Sequence, residues 1–294
     1  MNIKQKAVEI CRPIIYNGPI KFIPDKMFLK IRYFFARGRR LNLKNPKTFN
    51  EKLQWLKLFD RNPEYTRMVD KYEVRKYISE KIGEEYLIPL IGVWDKVEDI
   101  DFVKLPNKFV LKCTHDSQSV VICKDKNNFD KEKSIKKLSK ALKRNAYYGS
   151  REWAYKNVKP RIIAEKYMTD ESGIELKDYK IFCFNGAPKV IEVDFDRFTN
   201  HKRHLYDIEW NYIPASIQYP VDPNKIINKP EKLVTMLDLA KILSKDIPHV
   251  RVDFYSIYGK IYFGELTFTH GSGYEKFEPK EFGVEMGSWL KLPV

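Results

Sequence analysis

The residues with the most evident chemistry lie in one stretch, residues 250–273. Apolar and polar residues alternate along it, which predicts two β-strands joined by a turn at Tyr258-Gly259. Pairing these strands would bring onto one surface Arg251, Asp253, Glu265 and Thr267. Two converging carboxylates repel each other unless a cation lies between them, and oxygen ligands of this kind suit Mg²⁺ together with phosphates. The hairpin therefore predicts a magnesium and phosphate site.

A simpler interpretation of the same stretch is a half-buried hairpin with one solvated polar face, which is common in antiparallel sheets. Two observations favour the functional interpretation. The charges are mixed in sign and lie at the centres of the strands, and a His-Gly-Ser-Gly loop at residues 270–273 follows directly. Glycines in such a loop allow backbone amides to approach a ligand closely.

The composition indicates a folded protein without a membrane-spanning segment. The chain has 294 residues, of which 43% are hydrophobic, enough for one large or two modest domains. No stretch approaches the roughly 20 apolar residues that a span needs, and residues 1–20 lack the features of a secretory signal. The four cysteines lack metal-ligand spacing, which fits a reducing compartment. We therefore expect a cytoplasmic protein.

The net charge of +15 predicts an anionic partner. Phosphates, anionic lipids, acidic glycans and nucleic acid would all be attracted, but the chain has no zinc finger, RNP motif or basic tail, so we expect no nucleic acid. A basic face in the first sixty residues consists of Lys21, Lys26, Lys30, Arg32, Arg37, Arg39 and Arg40. It is either a solvated helix face or a contact with a polyanion or with the inner face of a membrane.

Two helices are predicted in this basic region. The first begins near Asp25 and ends at Gly38, because an aspartate can cap a helix and a glycine can end it. Its expected buried stripe consists of Met27, Phe28, Ile31, Phe34 and Phe35. The second begins after Thr48, because Thr48 and Glu51 have the spacing of a capping box.

Three further charged residues lie inside predicted strands. Lys112 is in an apolar strand, and Asp178 and Lys180 share the polar face of the strand at residues 177–184. A lysine inside an apolar strand either extends to the surface or points at an anion. The loop at residues 116–119 leads into another strand instead of a helix, so it is not a Walker-type phosphate loop.

The remaining predicted elements are helices at residues 70–83, 129–148, 230–245 and 281–290, strands at residues 86–93, 108–115, 120–123, 162–168 and 188–194, a turn at residues 185–186, and a charged loop at residues 194–204.

This order of elements resembles the ATP-grasp superfamily, and more closely its TupA-like family, whose members are often encoded among surface-polysaccharide genes. The motifs that carry the likeness are L-N-L-K-N-P-K-T-F-N-E-K-L-Q-W-L-K, D-K-Y-E-V-R-K-Y-I, F-V-L-K-C-T-H-D-S, I-I-A-E-K-Y-M, D-Y-K-I-F-C-F-N-G, V-R-V-D-F-Y and G-E-L-T-F-T-H-G-S-G. The likeness covers nearly the whole chain. It implies an α+β ATP-grasp fold. A basic helical region (residues 1–65) would precede two α+β subdomains that enclose ATP (residues 66–161 and 162–294).

The resemblance also implies roles for single residues. Those assigned to ATP are Lys112, Ser117, Glu165, Lys166, Tyr167, Glu171, Asp178 and Lys180. Among these, the two lysines would neutralise phosphates, residues 165–167 would form the hinge that contacts adenine, and Glu171 or Asp170 would bind the ribose. Asp253, Glu265 and Thr267 would hold Mg²⁺. Arg251, together with Lys180, would be catalytic and would stabilise the transferring phosphoryl group.

The implied activity is an ADP-forming ligase that joins a carboxylate to an amine through an acyl-phosphate. Its setting would be the synthesis of a capsule, O-antigen or teichuronopeptide-like polysaccharide. The partners would be a small amine or amino acid and a carboxylate, the latter on an acidic glycan or a lipid-linked precursor. Two positions depart from the family pattern. Gln118-Ser119 replaces glycines in the phosphate-covering loop, and Thr267 replaces asparagine.

Three other functions remain open on the sequence. One is a nucleotide-sugar glycosyltransferase, because Asp194 and Asp196 form a D-x-D pattern that can hold a metal and a sugar diphosphate. The D-x-D pattern is short and frequent by chance. The second is an ATP-grasp kinase, and the third is a polyanion-binding protein without catalytic activity.

Overall fold

The structure is a computed structural model that describes residues 19–117, 119–171, 173, 176–197 and 199–293. The first part of the predicted basic region, residues 1–18, and Gln118 of the predicted phosphate-covering loop lie outside the described residues. The predicted α+β class is confirmed.

The chain forms two compact units, and each combines separate stretches of sequence. The first unit contains the described residues up to Phe35, Arg61–Val74 and Pro89–Tyr167. The second contains Ala36–Asp60, Arg75–Ile88 and the described residues from Met168 onward.

Helices and strands occupy the following ranges of the described chain. The α-helices are α1 (Asp25–Arg37), α2 (Phe49–Phe59), α3 (Glu64–Val69), α4 (Val74–Lys81), α5 (Lys131–Leu142), α6 (Ala146–Ser150), α7 (Leu233–Leu243) and α8 (Lys280–Trp289). The strands are β1 (Leu90–Trp94), β2 (Phe109–Cys113), β3 (Val121–Cys123), β4 (Ile162–Lys166), β5 (Asp178–Phe184), β6 (Ala187–Phe195), β7 (Lys202–Tyr206), β8 (Tyr212–Ile213), β9 (Ser216–Ile217), β10 (His249–Ile257), β11 (Lys260–Thr267) and β12 (Phe277–Glu278).

Two predicted elements differ from the structure. The charged loop expected at residues 194–204 ends inside a strand, β7, because this segment pairs with β6. The single helix expected at residues 129–148 is divided into α5 and α6. The reason is Asn145, whose side-chain oxygen accepts a hydrogen bond from the backbone N–H of Tyr147 at 3.0 Å and so begins a new helix.

The first unit contains a four-stranded antiparallel sheet in the order β1-β4-β2-β3. Phe109, Leu111 and Cys113 lie on one face of β2 and form a core with Leu138 and Ala141 of α5. Lys112 lies on the opposite face because successive side chains alternate along a strand. The alternation of β2 thus separates a packed face from a face that carries charge.

The second unit contains a six-stranded antiparallel sheet in the order β11-β10-β5-β6-β7-β8. One face of this sheet packs against α7, which buries Met236, Leu239, Ala240 and Leu243. The other face has two parts. We call the part covered by α2 and α8 the apolar half and the neighbouring part, which carries ionisable side chains, the charged half.

The apolar half is built around Phe49 of α2. Its ring contacts the rings of Phe184 and His249, with centroids 5.7 and 4.9 Å away. The predicted capping box at the start of α2 is present, with both hydrogen bonds between Thr48 and Glu51 made. Gly287 of α8 lies against this helix start so closely that a Cβ there would be 2.2 Å from the carbonyl oxygen of Lys47.

The predicted buried stripe of α1 is wrong. Phe28 is buried, as expected, but the other four members are exposed, and Leu29 and Tyr33 are buried in their place. The interactions of Arg151 account for this orientation. Its guanidinium lies over the Phe28 ring at 4.4 Å and pairs with Asp25 at 3.2 Å, which turns this side of the helix inward.

In the described residues no helix is long and apolar enough to cross a membrane.

Candidate active site

Strand register places the predicted metal-site residues beside one another in the charged half. Asp253 of β10 lies opposite Glu265 of β11, and Arg251 lies opposite Thr267. On its other side Asp253 lies opposite Lys180 of β5. Since residues that face each other in an antiparallel pair point to the same side of the sheet, all five side chains share the charged half.

Arg251 is the centre of the first cluster. Its Nη2 donates to Asp253 Oδ2 at 2.6 Å, to Glu265 Oε1 at 3.0 Å and to Thr267 Oγ1 at 3.2 Å, while its Nε donates to Asp253 Oδ1 at 2.7 Å. Three oxygens from two strands therefore converge on a single cationic nitrogen. Arg251 and Asp253 are both buried, whereas the Glu265 side chain is 38% exposed.

Burial sets the protonation of this cluster. It raises the pKa of Asp253 to about 7, against the attraction of Arg251 and with the help of the neighbouring Glu265 carboxylate. Burial alone would lower the pKa of Arg251, but the pairing with Asp253 and Glu265 outweighs it and raises that pKa above its usual range. The Asp253 carboxylate is therefore less satisfied than a paired surface aspartate, and added positive charge would stabilise its ionised form.

Lys180 is the centre of the second cluster. Its Nζ contacts Asp194 closely and lies 3.3 Å from Glu192 Oε1 and 3.9 Å from Asp178 Oδ2. Arg203 of β7 also binds Asp194, with Nε to Oδ1 at 2.7 Å. Burial raises the pKa of Asp194, but the attraction of Lys180 and Arg203 is larger and leaves it well below its usual range. Asp194 is therefore held as an anion.

His270 and Glu275 extend the charged half. His270 Nδ1 lies 3.0 Å from Glu275 Oε2, and both side chains are largely buried. Burial lowers the pKa of His270, so it is held neutral, and burial raises the pKa of Glu275 to about 7 against the attraction of Arg203.

The charged half has more acidic than basic groups among the described residues. Its carboxylates are Asp178, Glu192, Asp194, Asp253, Glu265 and Glu275, and the Lys and Arg side chains paired with them are Lys180, Arg197, Arg203 and Arg251. Fully ionised, this set has an excess of negative charge, which a bound cation would balance.

Several members of the charged half were not predicted: Glu192, Arg197, Arg203, His270 and Glu275. The predicted Asn185-Gly186 turn pairs β5 with β6, but Glu192 lies opposite Lys180 only because a bulge between Phe182 and Cys183 shifts the register of that pair. Arg203 was missed because its strand was expected to be a loop. Asp194 was considered only as part of the D-x-D pattern. Its carboxylate pairs with Lys180 and Arg203, whereas Asp196 is exposed beyond the end of the strand. This geometry does not bring the two aspartates together as metal ligands.

The ATP-assigned residues of the first unit fall into one pair and several separate positions. Lys112 Nζ lies 2.6 Å from Glu165 Oε2, and both side chains are largely shielded from solvent. Lys166 and Ser117 are exposed, and Tyr167 is half-buried just after β4.

Two further loops, one in each unit, have clear structural roles. Ser119, which departs from the family pattern, is buried, and its hydroxyl accepts a hydrogen bond from Cys113 N–H at 3.0 Å. In the second unit, the carbonyls of Ser272 and Gly273 accept hydrogen bonds from Gln54 Nε2 at 3.1 and 2.9 Å. The loop at residues 270–273 is thereby fastened to α2.

Glu171 and Asp178 complete the predicted set, and both belong to the second unit. Glu171 is exposed and accepts a close hydrogen bond from the backbone N–H of Tyr258, at the turn of the β10–β11 hairpin. Asp178 lies opposite Tyr255, near the same end of β10, and Arg197 Nη1 donates to it at 2.6 Å. Glu171 is thus apart from the Arg251 cluster, while Asp178 is part of the charged half.

The oxygens around Arg251 fit a magnesium ion in donor type. Asp253, Glu265 and Thr267 supply two carboxylates and a hydroxyl, all hard oxygen ligands, and they already surround one positive charge. In the described residues no group of three or more His, Cys, Asp or Glu side chains has the geometry of a metal site. A magnesium ion held here would therefore depend on Thr267, or on phosphate and water oxygens, to complete its shell.

Comparison with known families gives the chain a class. The sequence model described as TupA-like ATPgrasp matches residues 51–291. The match covers well over half of the chain, and the chain belongs to this family. The resemblance found in the motifs is confirmed, and with it the ATP-grasp fold. A search among curated proteins found no match.

Solved ATP-grasp ligases have similar but distant folds. The D-alanine–D-alanine ligase from Bacillus anthracis, solved with ATP, is 19% identical over 68% of this chain and 53% of its own, with a TM-score of 0.39. The corresponding ligase from Helicobacter pylori is 15% identical over 83% of this chain and 69% of its own, with a TM-score of 0.42. The phosphoribosylamine–glycine ligase from Thermotoga maritima is 14% identical over 69% and 48%, with a TM-score of 0.41. This chain therefore matches only about half the length of two of these ligases, and likeness of this degree does not identify an activity.

Proposed function

We propose that this protein is an ATP- and magnesium-dependent ligase that forms ADP and joins a carboxylate to an amine. The observation that carries the proposal is the convergence of the Asp253, Glu265 and Thr267 oxygens on one cationic nitrogen of Arg251, in a sheet face with excess carboxylates. In an ATP-grasp protein, such a face is suited to hold the phosphates of ATP through a divalent cation.

The proposed reaction has two steps. First, a substrate carboxylate oxygen bonds to the γ-phosphorus of ATP while the bond from that phosphorus to the β–γ bridging oxygen breaks, which releases ADP. Second, the amine nitrogen bonds to the acyl carbon while the acyl C–O bond breaks, which releases phosphate, and the nitrogen loses a proton. The acyl-phosphate intermediate divides one difficult step into two easier ones.

The charged half would supply most of the electrostatics of this reaction. Asp253, Glu265 and Thr267 would hold Mg²⁺, which when bound neutralises phosphate oxygens. Arg251 would remain beside these oxygens as a fixed positive charge for the transferring phosphoryl group. Lys180 would bind phosphate from a position that Asp194 and Glu192 maintain.

The nucleotide would also contact the remaining residues that the family resemblance assigns to ATP. Lys112 would bind phosphate, with Glu165 as the partner that positions it, and Ser117 would lie near the phosphates. Residues 165–167 would contact adenine, and Glu171 or Asp170 the ribose. Asp178 would assist through Arg197, to which it is hydrogen-bonded.

The proposed carboxylate belongs to an acidic glycan or its lipid-linked precursor, and the amine to a small molecule or amino acid. The setting would be surface-polysaccharide synthesis in the cytoplasm, at the inner face of the membrane. The net charge of +15 supports an anionic acceptor, since a basic surface attracts one over long range. The family also supports the setting, because its members are often encoded among surface-polysaccharide genes.

The proposal is tested by trapping the intermediate. The protein is mixed with Mg-ATP, a set of uronic-acid glycans and hydroxylamine, which converts an acyl-phosphate into a hydroxamate. We expect a hydroxamate together with ADP and phosphate. AMP with pyrophosphate would indicate adenylation, phosphate retained on a sugar hydroxyl would indicate a kinase, and consumption of a nucleotide sugar without ATP would indicate a transferase; each of these would overturn the ligase proposal.

A further inference from the structure

Helix α1 has two apolar faces, and only one of them is packed. Phe28, Leu29 and Tyr33 point into the first unit and are buried. On the opposite side an exposed row begins before the helix and continues along it. Its members and their exposed fractions are Phe22 (78%), Met27 (55%), Ile31 (42%), Phe34 (51%) and Phe35 (81%). We call this row the α1 stripe.

The α1 stripe is a continuous patch. Met27, Ile31, Phe34 and Phe35 are spaced by the four, seven and eight residues that place side chains on one side of a helix. The rings of Phe34 and Phe35 contact each other edge to face, with centroids 5.9 Å apart. Single exposed apolar residues are ordinary on a protein surface, whereas a contiguous patch of this kind marks an interaction site.

The stripe faces outward because the helix is fixed. Arg151 is 1% exposed and binds both Asp25 and the carbonyl of Ile23, the latter at 3.1 Å. The hydroxyl of Tyr147 donates to the Asp25 carboxylate at 2.7 Å, and Arg61 pairs with it at 2.9 Å. Rotating α1 to bury the stripe would break these contacts and leave Arg151 buried without its anion, which is strongly unfavourable.

The charges beside the stripe select its partner. Lys21, Lys26 and Lys30 are exposed, and Lys26, Lys30 and Phe34 lie four residues apart in one row of the helix. The acidic residue of α1, Asp25, is engaged by Arg61, Tyr147 and Arg151 on the inner side. An apolar row with lysines along its edge matches the boundary between acyl chains and phosphates in a bilayer.

We propose that the α1 stripe docks onto an anionic phospholipid membrane. The aromatic and aliphatic side chains would enter the headgroup and acyl boundary, and the lysines would contact lipid phosphates. This inference rests on the proposed location at the membrane and is independent of the ligase chemistry. It would bring the protein to the surface where a lipid-linked acceptor lies.

The test is the binding of the full chain to vesicles by co-sedimentation, without nucleotide. One vesicle preparation is phosphatidylcholine alone, and the other contains about 30% phosphatidylglycerol to supply negative charge. We expect binding to the anionic vesicles and little to the neutral ones. Replacing Phe22 and Phe35 together by serine should weaken binding at least about tenfold, because two largely exposed aromatic side chains no longer insert.

Matched variants separate this site from general charge and hydrophobicity. Val103 and Ile226 are each 85% exposed outside the stripe, and replacing both by serine should leave binding unchanged. Lys26→Gln with Lys30→Gln should weaken binding about fivefold per lysine at low salt, and less at high salt. The same change at the exposed Lys136 and Lys140 of α5 should have an effect of about twofold or less.

Three outcomes would overturn the proposal: no binding to anionic vesicles, equal binding by the Phe22/Phe35 variant, or a dimer in the absence of lipid that this variant abolishes. The last result would show that a second copy covers the stripe. Thermal unfolding checks that each variant folds. A negative hydroxamate test leaves the vesicle result standing, and a negative vesicle result leaves the ligase proposal standing.

Discussion

The two halves of one sheet face in the second unit differ in what holds them together. In the apolar half, Phe182 and Phe184 of β5 pack with α2 and α8. In the charged half, the next two residues on the same side of β5, Lys180 and Asp178, pair with carboxylates and with an arginine. The same strands therefore supply a hydrophobic core at one end and an ionic network at the other.

This difference separates stability from function. Burying aromatic rings stabilises the fold in proportion to the apolar area removed from water. Burying charges has a desolvation cost that pairing at best offsets, and here the carboxylates outnumber their partners. Buried ionisable groups with strongly shifted pKa values are concentrated at functional sites. We therefore expect mutations in the apolar half to lower stability and mutations in the charged half to lower activity.

The largest expected effect is that of Asp253→Asn. Turnover should fall about 10³-fold, or about 4 kcal/mol, because a neutral amide is a poor magnesium ligand. The free energy of unfolding should fall by about 1–3 kcal/mol, since the amide fills the same space but leaves one of the two Arg251 donors without an acceptor. Steady-state ADP release and urea unfolding measure the two quantities.

A matched control for this variant is Asp95→Asn, which removes an exposed carboxylate paired with Lys159 in the other unit. It should leave both quantities unchanged. Normal turnover in Asp253→Asn would show that the charged half takes no part in catalysis, and it would contradict the assignment of stability to the apolar half and activity to the charged half.

The next effect tests the apolar half. Phe49→Ala should lower the free energy of unfolding by about 3–5 kcal/mol, because it removes a fully buried ring from contact with four aromatic neighbours. Urea unfolding measures the loss. Phe59→Ala, at the exposed end of the same helix, is the control and should cost less than about 1 kcal/mol. Equal losses in the two variants would contradict the packing described for Phe49.

A pH effect sharpens the comparison, because His249 lies in the apolar half. Burial lowers its pKa from 6.5 to about 3. Below pH 6.5 the unfolded chain binds a proton that folded His249 does not, so stability is lost as the pH falls from 6.5 toward 3. At pH 5 the loss from this residue should be about 2 kcal/mol.

The measurement is the free energy of unfolding at pH 7 and pH 5 in the wild type and in His249→Gln. Other groups, including His270, contribute equally to both proteins and cancel in the difference. The variant should lose about 2 kcal/mol less than the wild type between these pH values. The same loss in both proteins would mean that His249 is protonated in the folded state.

The smallest expected effect concerns the Lys112–Glu165 pair of the first unit. Among the described residues, Lys112 pairs with one carboxylate, that of Glu165, whereas Lys180 has three carboxylates within 4 Å. Lys112→Met should weaken ATP binding about tenfold, or about 1.4 kcal/mol, by removing one phosphate contact. Lys108→Met, an exposed lysine near the start of the same strand, is the control for lost charge. Calorimetric titration that finds unchanged ATP affinity in Lys112→Met would confine the phosphate chemistry to the charged half.

Much of this arrangement could be predicted from the sequence. Alternation predicted the strands that carry Lys112, Lys180 and Asp253, and the capping box located the start of α2. The orientation of α1 could not be predicted from the helix alone, since apolar residues occupy two of its sides. The distant Arg151, which packs on Phe28 and pairs with Asp25, decided which side faces inward.

The final hairpin shows what the sequence determined. Counting back from the Tyr258-Gly259 turn without interruption would place Glu265 opposite Val252, on the wrong face. A bulge at Gly264 shifts the register by one residue and brings Glu265 opposite Asp253. The sequence itself indicates this bulge. The buried apolar positions are the odd-numbered Ile261 and Phe263 before Gly264 but the even-numbered Leu266 after it, so the alternation shifts by one residue at Gly264.

The pairing of β5 with β6 was decided by the tertiary structure. Here too a bulge, between Phe182 and Cys183, shifts the register and brings Glu192 opposite Lys180. No change of phase marks it, because every residue of β5 and those of β6 from Val190 onward are buried on both faces. The alternation of apolar and polar residues reveals the register of a strand only where one face of the sheet is exposed to solvent. The sequence therefore determined which residues carry the charges, while packing on both sides of the central strands decided which charges meet.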